Sequence, residues 1–342
     1  MKHYRIVELL GDGISPELSQ SVHTVAALLP FRLDFRSIDL SLPSRTRNAH
    51  ELYEEARTAM GELRVALKYP TATEVESPNK VLREFCNFSV IHRPVATFEG
   101  VENNFKRTLD IDVVRVATGG TYSDSGMRIG TESAVALRVI ERAPARNAAQ
   151  FAFRLASERG TSVVSTSKWT IQRAADGLFE EQCDDIARNY PGIPYRRELF
   201  DSLLAGLILH PERYRVIVCP NEYGDFLSDM ACGLIGSVGL GDSASYSFDD
   251  SGRVRLAMFD PAGGSAPDIA GKDLCNPSAA LLSLASLLRH VGEREAGKAL
   301  HVALRETIAA GEKTADIGGT LGTHAFTGAV CQRLEAALAA RR

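Results

Sequence analysis

With 342 residues, 44% of them hydrophobic and 24% charged, the chain has enough apolar material for a large core and the length for two domains. A formal net charge of −4 without any block of basic residues argues against nucleic acid as a partner, and no apolar run reaches the roughly 18 residues a membrane span needs. The six cysteines show neither CxxC nor zinc-ligand spacing, and the N-terminus has no signal-peptide layout, so reduced thiols in the cytoplasm are expected.

Apolar and helical segments alternate along the chain, the pattern of an α/β architecture. Residues 4–10 predict a buried strand and Gly11-Asp12-Gly13 a tight turn. Ser15 then predicts an N-cap with Pro16 at the first helical position, leading a helix striped by Leu18, Val22, Val25 and Leu29. Gly11-x-Gly13-x-x-Pro16 is only part of a dinucleotide fingerprint, because the third glycine is missing, and it reads first as a structural turn. Further strands are predicted at 63–68, 89–92, 111–115, 161–165 and 216–219. Helices are predicted near 144–158, 176–189, 197–209, 222–235, 277–291, 295–309 and 323–340. In the helix near 200, Phe200, Leu203, Leu204 and Leu207 make a buried stripe with Asp201 beside it. No repeat, low-complexity stretch or linker interrupts the pattern, so the domains are expected to be closely packed.

The segment from Pro220 to Asp229 follows the strand 216–219 and so lies at a strand's carboxyl end, where open α/β sheets bind ligands. A helix starting near Glu222 sets Asp225 and Asp229 one turn apart on one face, where they repel unless a cation lies between them. Their hard oxygens suit Mg²⁺ or Mn²⁺; acidic residues stabilising a helix N-terminus fit the spacing equally well. Arg83 and Arg93 bracket a predicted strand that Pro94 is expected to end, and Arg115 ends another. Three converging guanidinium groups would match a polyanionic substrate, although each alone reads as a surface ion pair.

Lys168 lies just past the strand 161–165 and would accept a proton if burial lowered its pKa, whereas a lone lysine is ordinarily solvated. Tyr122, in the glycine-rich run Thr118-Gly119-Gly120-Thr121, could donate one, or could simply be packed. In Gly263-Gly264-Ser265-Ala266-Pro267-Asp268-Ile269-Ala270-Gly271, small residues would let backbone N–H groups approach a phosphate or ribose. Asp268 would accept from a ribose diol and repel a 2′-phosphate. An ordinary surface loop is the alternative.

Taken together and in this order, these segments resemble the β-decarboxylating dehydrogenase family of isocitrate, 3-isopropylmalate, homoisocitrate, tartrate and D-malate dehydrogenases, over essentially the whole chain. Gly11 to Glu17 resembles the family's opening turn. Arg83, the run His92-Arg93-Pro94-Val95 and Arg115 match its substrate arginines. Tyr122 falls on its catalytic tyrosine, Lys168 on its catalytic lysine, and Asp201, Asp225 and Asp229 on its three metal-binding aspartates. Gly264, Ser265, Ala266, Asp268 and Ile269 fall on the cofactor loop, Asn276 on the adenine-contacting asparagine, and Asp316-Ile317-Gly318-Gly319 resembles a C-terminal motif.

The resemblance implies an α/β/α fold with one long, mixed, twisted sheet and two domains, residues 1–95 plus 245–342 and residues 96–244. It implies a homodimer with shared active sites, with residues 132–141 as a clasping arm and with Asp201 and Lys168 serving the neighbouring subunit's site. It implies NAD with Mg²⁺ or Mn²⁺, and oxidation then decarboxylation of a (2R)-2-hydroxy acid. Ser77 and Asn79 resemble the residues that contact the γ-carboxylate in isocitrate enzymes. With Lys80 they leave the region polar where isopropylmalate enzymes carry leucines. An anionic γ-substituent is therefore expected, as in isocitrate, a homologue or a phosphonate analogue.

Departures from the pattern are Gly263 for a histidine, Asp260 for a glutamate, Val116-Ala117 after the third arginine, and Thr170 for an asparagine. They leave two rivals: a conventional isocitrate or 3-isopropylmalate dehydrogenase, and a non-catalytic regulatory subunit. Retention of Tyr122, Lys168 and the three aspartates speaks against the second.

Overall fold

The computed structural model describes residues 2–74 and 76–340. β1 (His3–Leu10) turns into α1 (Ser15–Ala26), and β2 (Arg32–Asp39) returns parallel beside β1. α2 (Leu42–Leu63), β3 (Val65–Lys68), α3 (Pro78–Phe85) and the antiparallel pair β4 (Val90–Ala96) and β5 (Asp110–Val116) follow. A small hairpin, β6 (Met127–Ile129) and β7 (Ser133–Val135), exposes Met127, Ile129, Val135 and Leu137, the last two within residues 132–141 expected to form the arm. Next come α4 (Arg142–Arg159), β8 (Val163–Ser167), α5 (Ala175–Ala187), β9 (Tyr195–Leu199) and α6 (Phe200–Leu209). β10 (Val216–Cys219) leads into α7 (Asn221–Leu234), and β11 (Asp242–Phe248) pairs antiparallel with β12 (Val254–Pro261). α8 (Ser278–His290), α9 (Arg294–Ala309) and α10 (Thr323–Ala339) close the described chain.

Ten strands form one mixed sheet in the order β2-β1-β3-β12-β11-β4-β5-β10-β8-β9. Alternate side chains of a strand point to opposite faces, and both faces are buried here. Ile6 and Leu67 join a core with Leu18 and Val22 of α1 and Leu284 of α8. Their neighbours Val7 and Ala66 join a second core with Tyr53 and Met60 of α2 and Leu82 of α3. The α/β/α layering expected from the resemblance is thus present, and no helix among the described residues is long and apolar enough to cross a membrane.

Three local expectations are corrected. Ser15 does not cap α1 but is its first residue, because its hydroxyl accepts the buried Gly11 N–H at 2.8 Å. Pro94 does not end β4; the strand continues to Ala96 opposite β5. β11 pairs with β4 only as far as His92, so beyond that point a missing N–H costs no ladder bond on the open side. The helix expected from 197 begins at Phe200, since residues 195–199 form an edge strand.

Candidate active site

β5 and β10 are parallel neighbours, and α7 rises directly from the carboxyl end of β10. This geometry sets Asp225 and Asp229, one turn apart on α7, against arginines from the sheet. Arg115 is 1% exposed; its Nε donates to Asn221 Oδ1 at 2.8 Å and its Nη1 pairs with Asp225. Gly224 allows this approach, because a Cβ there would lie 2.6 Å from that of Arg115. Arg93 donates through Nη1 to Ser228 Oγ at 2.7 Å and to Asp229 Oδ1 at 3.1 Å, and lies 3.4 Å from Asp225.

The Tyr122 hydroxyl donates to Asp225 Oδ2 at 3.1 Å. Burial opposes ionisation of Asp225, but Arg115 and Arg93, with help from Tyr122, outweigh it and hold its pKa below the usual carboxylate range. Burial, then the charge of Arg93, press on the Arg83 cation, and burial, Arg83 and Arg93 press on that of Arg115. Guanidinium groups stay charged under such pressure, so the pocket holds concentrated positive potential suited to a polyanion.

A second, separate pairing joins Lys168 to Asp201, with Nζ to Oδ1 at 2.8 Å and the Asp201 side chain 67% exposed. The hydrogen bond from Lys168 is the main reason the Asp201 pKa is lowered. The structure thus brings Arg83, Arg93, Arg115, Tyr122, Asp225 and Asp229 together, and holds Lys168 with Asp201 elsewhere. Among the described residues no three metal-ligating side chains gather within one chain. One chain thus presents two separate groups of the residues expected to act together.

A cavity of 1110 Å³ opens over the arginine group, lined by Ser77, Lys80, Arg83, Thr121, Tyr122 and Asn221 among others. Asn79 is not part of this lining, and its amide oxygen is buried without a hydrogen-bond partner.

The loop after β12 shapes a smaller cleft of 200 Å³, lined by Ile14, Gly263, Gly264, Ala266, Ile269 and Asn276, with Val238 and Asp316 nearby. The opening turn supports it: Ile14 N donates to Ser265 O at 2.9 Å, and a Cβ on Gly13, at φ +59°, would lie 1.8 Å from that oxygen. Glu17 accepts the N–H groups of Gly271 at 2.7 Å and Asp273 at 3.0 Å. Asn276 is fixed at both ends, donating to Asp316 at 3.0 Å and accepting the Ser278 N–H at 2.9 Å. Gly263 and Gly264 face open space, Ser265 contributes its carbonyl to the support, and Asp268 is exposed.

Sequence reasoning missed Lys68 at the end of β3 and the role of Asp260 on β12. Burial pushes the Lys68 ammonium down to about 8 against the pull of Asp260, while Nζ donates to Tyr69 O at 2.9 Å. Burial raises the Asp260 pKa against the pull of Lys68, and one of its oxygens has no hydrogen-bond partner. The available signal was a lysine closing an apolar strand at its carboxyl end. Asn221, which links Arg115 to the carbonyl of Gly119 at 2.9 Å, gave none.

An arginine pocket over paired aspartates, on the same sheet as a small-residue cleft, is a site suited to an anionic ligand with a second ligand beside it. Residues 5–331 match the family model described as isocitrate/isopropylmalate dehydrogenase. The mitochondrial NAD isocitrate dehydrogenase catalytic subunit 5 of Arabidopsis thaliana is 34% identical over 332 residues, covering 95% of this chain and 87% of that one. A 3-isopropylmalate dehydrogenase of Methanothermobacter thermautotrophicus is 33% identical over 338 residues, covering 98% and 100%. The crystal structure of isocitrate dehydrogenase from Methylococcus capsulatus matches with a TM-score of 0.88 at 29% identity, covering 97% of this chain and 99% of that one. The chain belongs to the isocitrate/isopropylmalate dehydrogenase family, and its reaction is the oxidative decarboxylation of a hydroxy acid.

Proposed function

We propose that this enzyme oxidises and decarboxylates a (2R)-2-hydroxy acid with an anionic γ-substituent, namely isocitrate, a homologue or a phosphonate analogue, using NAD and Mg²⁺ or Mn²⁺. The observation that carries the reading is the convergence of Arg83, Arg93 and Arg115 beside a cavity whose lining includes Ser77 and Lys80. An isopropyl group there would face polar side chains that need partners, whereas a carboxylate or phosphonate would satisfy them.

The donor set fits a hard divalent cation: Asp225 and Asp229 stand one turn apart on α7, and Asp201, paired with Lys168, is exposed where another subunit could meet it. In a homodimer, Asp225 and Asp229 with Asp201 of the partner subunit would hold the cation, which would supply Lewis acidity to the substrate's C2 oxygen. Gly264, Ala266, Ile269 and Asn276 line the cleft that would hold NAD, the hydride acceptor, with Ser265 and Asp268 on the same loop and Asp268 expected to disfavour a 2′-phosphate.

Arg83, Arg93 and Arg115 bind and orient the carboxylates. Lys168 of the partner subunit takes the 2-hydroxyl proton. Tyr122, whose pKa is raised by burial and by Asp225, keeps its proton until the enol carbon takes it. Closure of residues 1–95 plus 245–342 onto residues 96–244 would exclude water. All six cysteines are free thiols, which suits the cytoplasm.

A panel of 2-hydroxy acids with Mg²⁺ or Mn²⁺ and either nicotinamide cofactor, read for NADH and CO₂, tests the proposal. Turnover is expected with acids carrying an anionic γ-group. Turnover of 3-isopropylmalate with those acids inert would overturn the substrate reading.

A further inference from the structure

Inside one chain, a single guanidinium joins the loop that carries Tyr122 to the loop that carries Lys168. Arg138, just beyond β7, ion-pairs with Glu222 through Nε and with Asp176 through Nη1. Its side chain is 12% exposed, and the two carboxylates are 5% and 0% exposed. The other oxygen of Asp176 accepts the backbone N–H of Lys168 at 2.7 Å.

On the opposite side, Glu222 lies under the Tyr122 loop, where a Cβ on Gly120 would come 1.9 Å from its Oε2. Val139, the residue after Arg138, exchanges both backbone hydrogen bonds with Gly120, at 2.7 and 3.1 Å. The Arg138 guanidinium also lies over the Tyr223 ring at 5.1 Å, and Tyr223 stacks at 4.5 Å on Phe200, the neighbour of Asp201. Two contacts lead from this one side chain to Lys168 and to Phe200, the chain neighbour of Asp201, and the strand bridge of Val139 holds Gly120, two residues before Tyr122.

We propose that Arg138 is a positioning residue that fixes the Tyr122 loop relative to the Lys168 loop, and so couples the two active sites of the dimer. The inference rests on the proposed sharing of sites, in which Tyr122 serves its own subunit and Lys168 the other. A planar guanidinium meets two carboxylates through separate nitrogens, which a lysine ammonium at the same place does not reproduce. Neither partner tolerates loss of the cation, since both carboxylates are buried.

Hybrid dimers carrying one wild-type and one Arg138→Lys subunit test the coupling. One site of the hybrid receives a displaced Lys168 and the other a displaced Tyr122. With one displaced group in each of its sites, the hybrid is expected to turn over about tenfold below wild type in kcat, the variant homodimer no faster, with dimer mass and circular dichroism retained. Half of wild-type kcat, from one untouched site, would overturn the proposal. Should Arg138→Lys fail to fold, Glu222→Gln keeps the shape and frees one end of the same bridge. A hybrid made with it is read against the same two outcomes.

A hybrid of Lys168→Ala with Tyr122→Phe separates the underlying reading from this one. Recovery of about half of wild-type activity means the sites are shared, because one site is then intact. No recovery overturns the sharing and the coupling with it. Recovery together with a half-active Arg138→Lys hybrid overturns the coupling alone.

Discussion

Arg115 and Asn221 are locked together, Nε to Oδ1 at 2.8 Å, and Asn221 passes that order to the Tyr122 loop through the carbonyl of Gly119. The arginine proposed to bind substrate is thus also a strut for the loop of the tyrosine proposed to protonate the product. Arg115→Lys keeps the charge but loses the fork. We expect kcat/KM for the hydroxy acid to fall by about 10²-fold, roughly 3 kcal/mol, in steady-state assays at saturating cofactor. A loss below threefold would show that a point charge suffices.

Gly120→Ala is expected to cost more than an exposed glycine change. The residue sits at φ +69°, and its new methyl would meet the buried Glu222 carboxylate. Strain and displaced charge together should destabilise the fold by about 2–4 kcal/mol in urea titration. Gly130→Ala also has positive φ, but it has open space around it and serves as the control for the backbone term alone.

His301 lines a 160 Å³ cavity with Arg289 and Arg305. Burial, then those two cations, push its pKa down to about 4 from an ordinary value of 6.5. The unfolded chain takes up a proton as pH falls through 6.5 while the folded chain does not, so stability declines between 6.5 and about 4 and levels off below. The decline attributable to this group is at most about 3 kcal/mol. Urea melts of His301→Leu at several pH values should show that acid limb flattened; an unchanged limb would remove His301 from the account.

Asp268 is exposed on the cofactor loop. The wild-type enzyme is expected to prefer NAD, and Asp268→Ala to narrow the NAD over NADP ratio of kcat/KM by about tenfold, the effect of one carboxylate near a phosphate. A clear preference of the wild type for NADP would show that this carboxylate does not face the ribose.

Legibility in the sequence followed the physics of each segment. β10 was readable to the residue because Val-Ile-Val-Cys is wholly buried and bounded by arginine and proline. β9, Tyr-Arg-Arg-Glu-Leu, was not, because at the sheet's edge its charged side chains reach solvent or acidic partners such as Asp184. β11 was missed for the opposite reason. Asp-Ser-Ala-Ser-Tyr-Ser-Phe looks like a loop, yet it lies in the middle of the sheet with its serines buried. The aspartate pair on α7 followed from helical spacing. The links from Arg138 to Asp176 and Glu222 span 38 and 84 residues, and no local pattern announces contacts of that separation.

The strand order has a consequence for biosynthesis. β11 and β12 are the last strands made, yet they sit between β3 and β4. Until β11 and β12 are made, β3 and β4 have no strand in the chain to bridge their facing edges. Only when the final hairpin slides into the gap can the two halves become one body, which makes the nascent chain dependent on late, long-range pairing and vulnerable to misassembly until then.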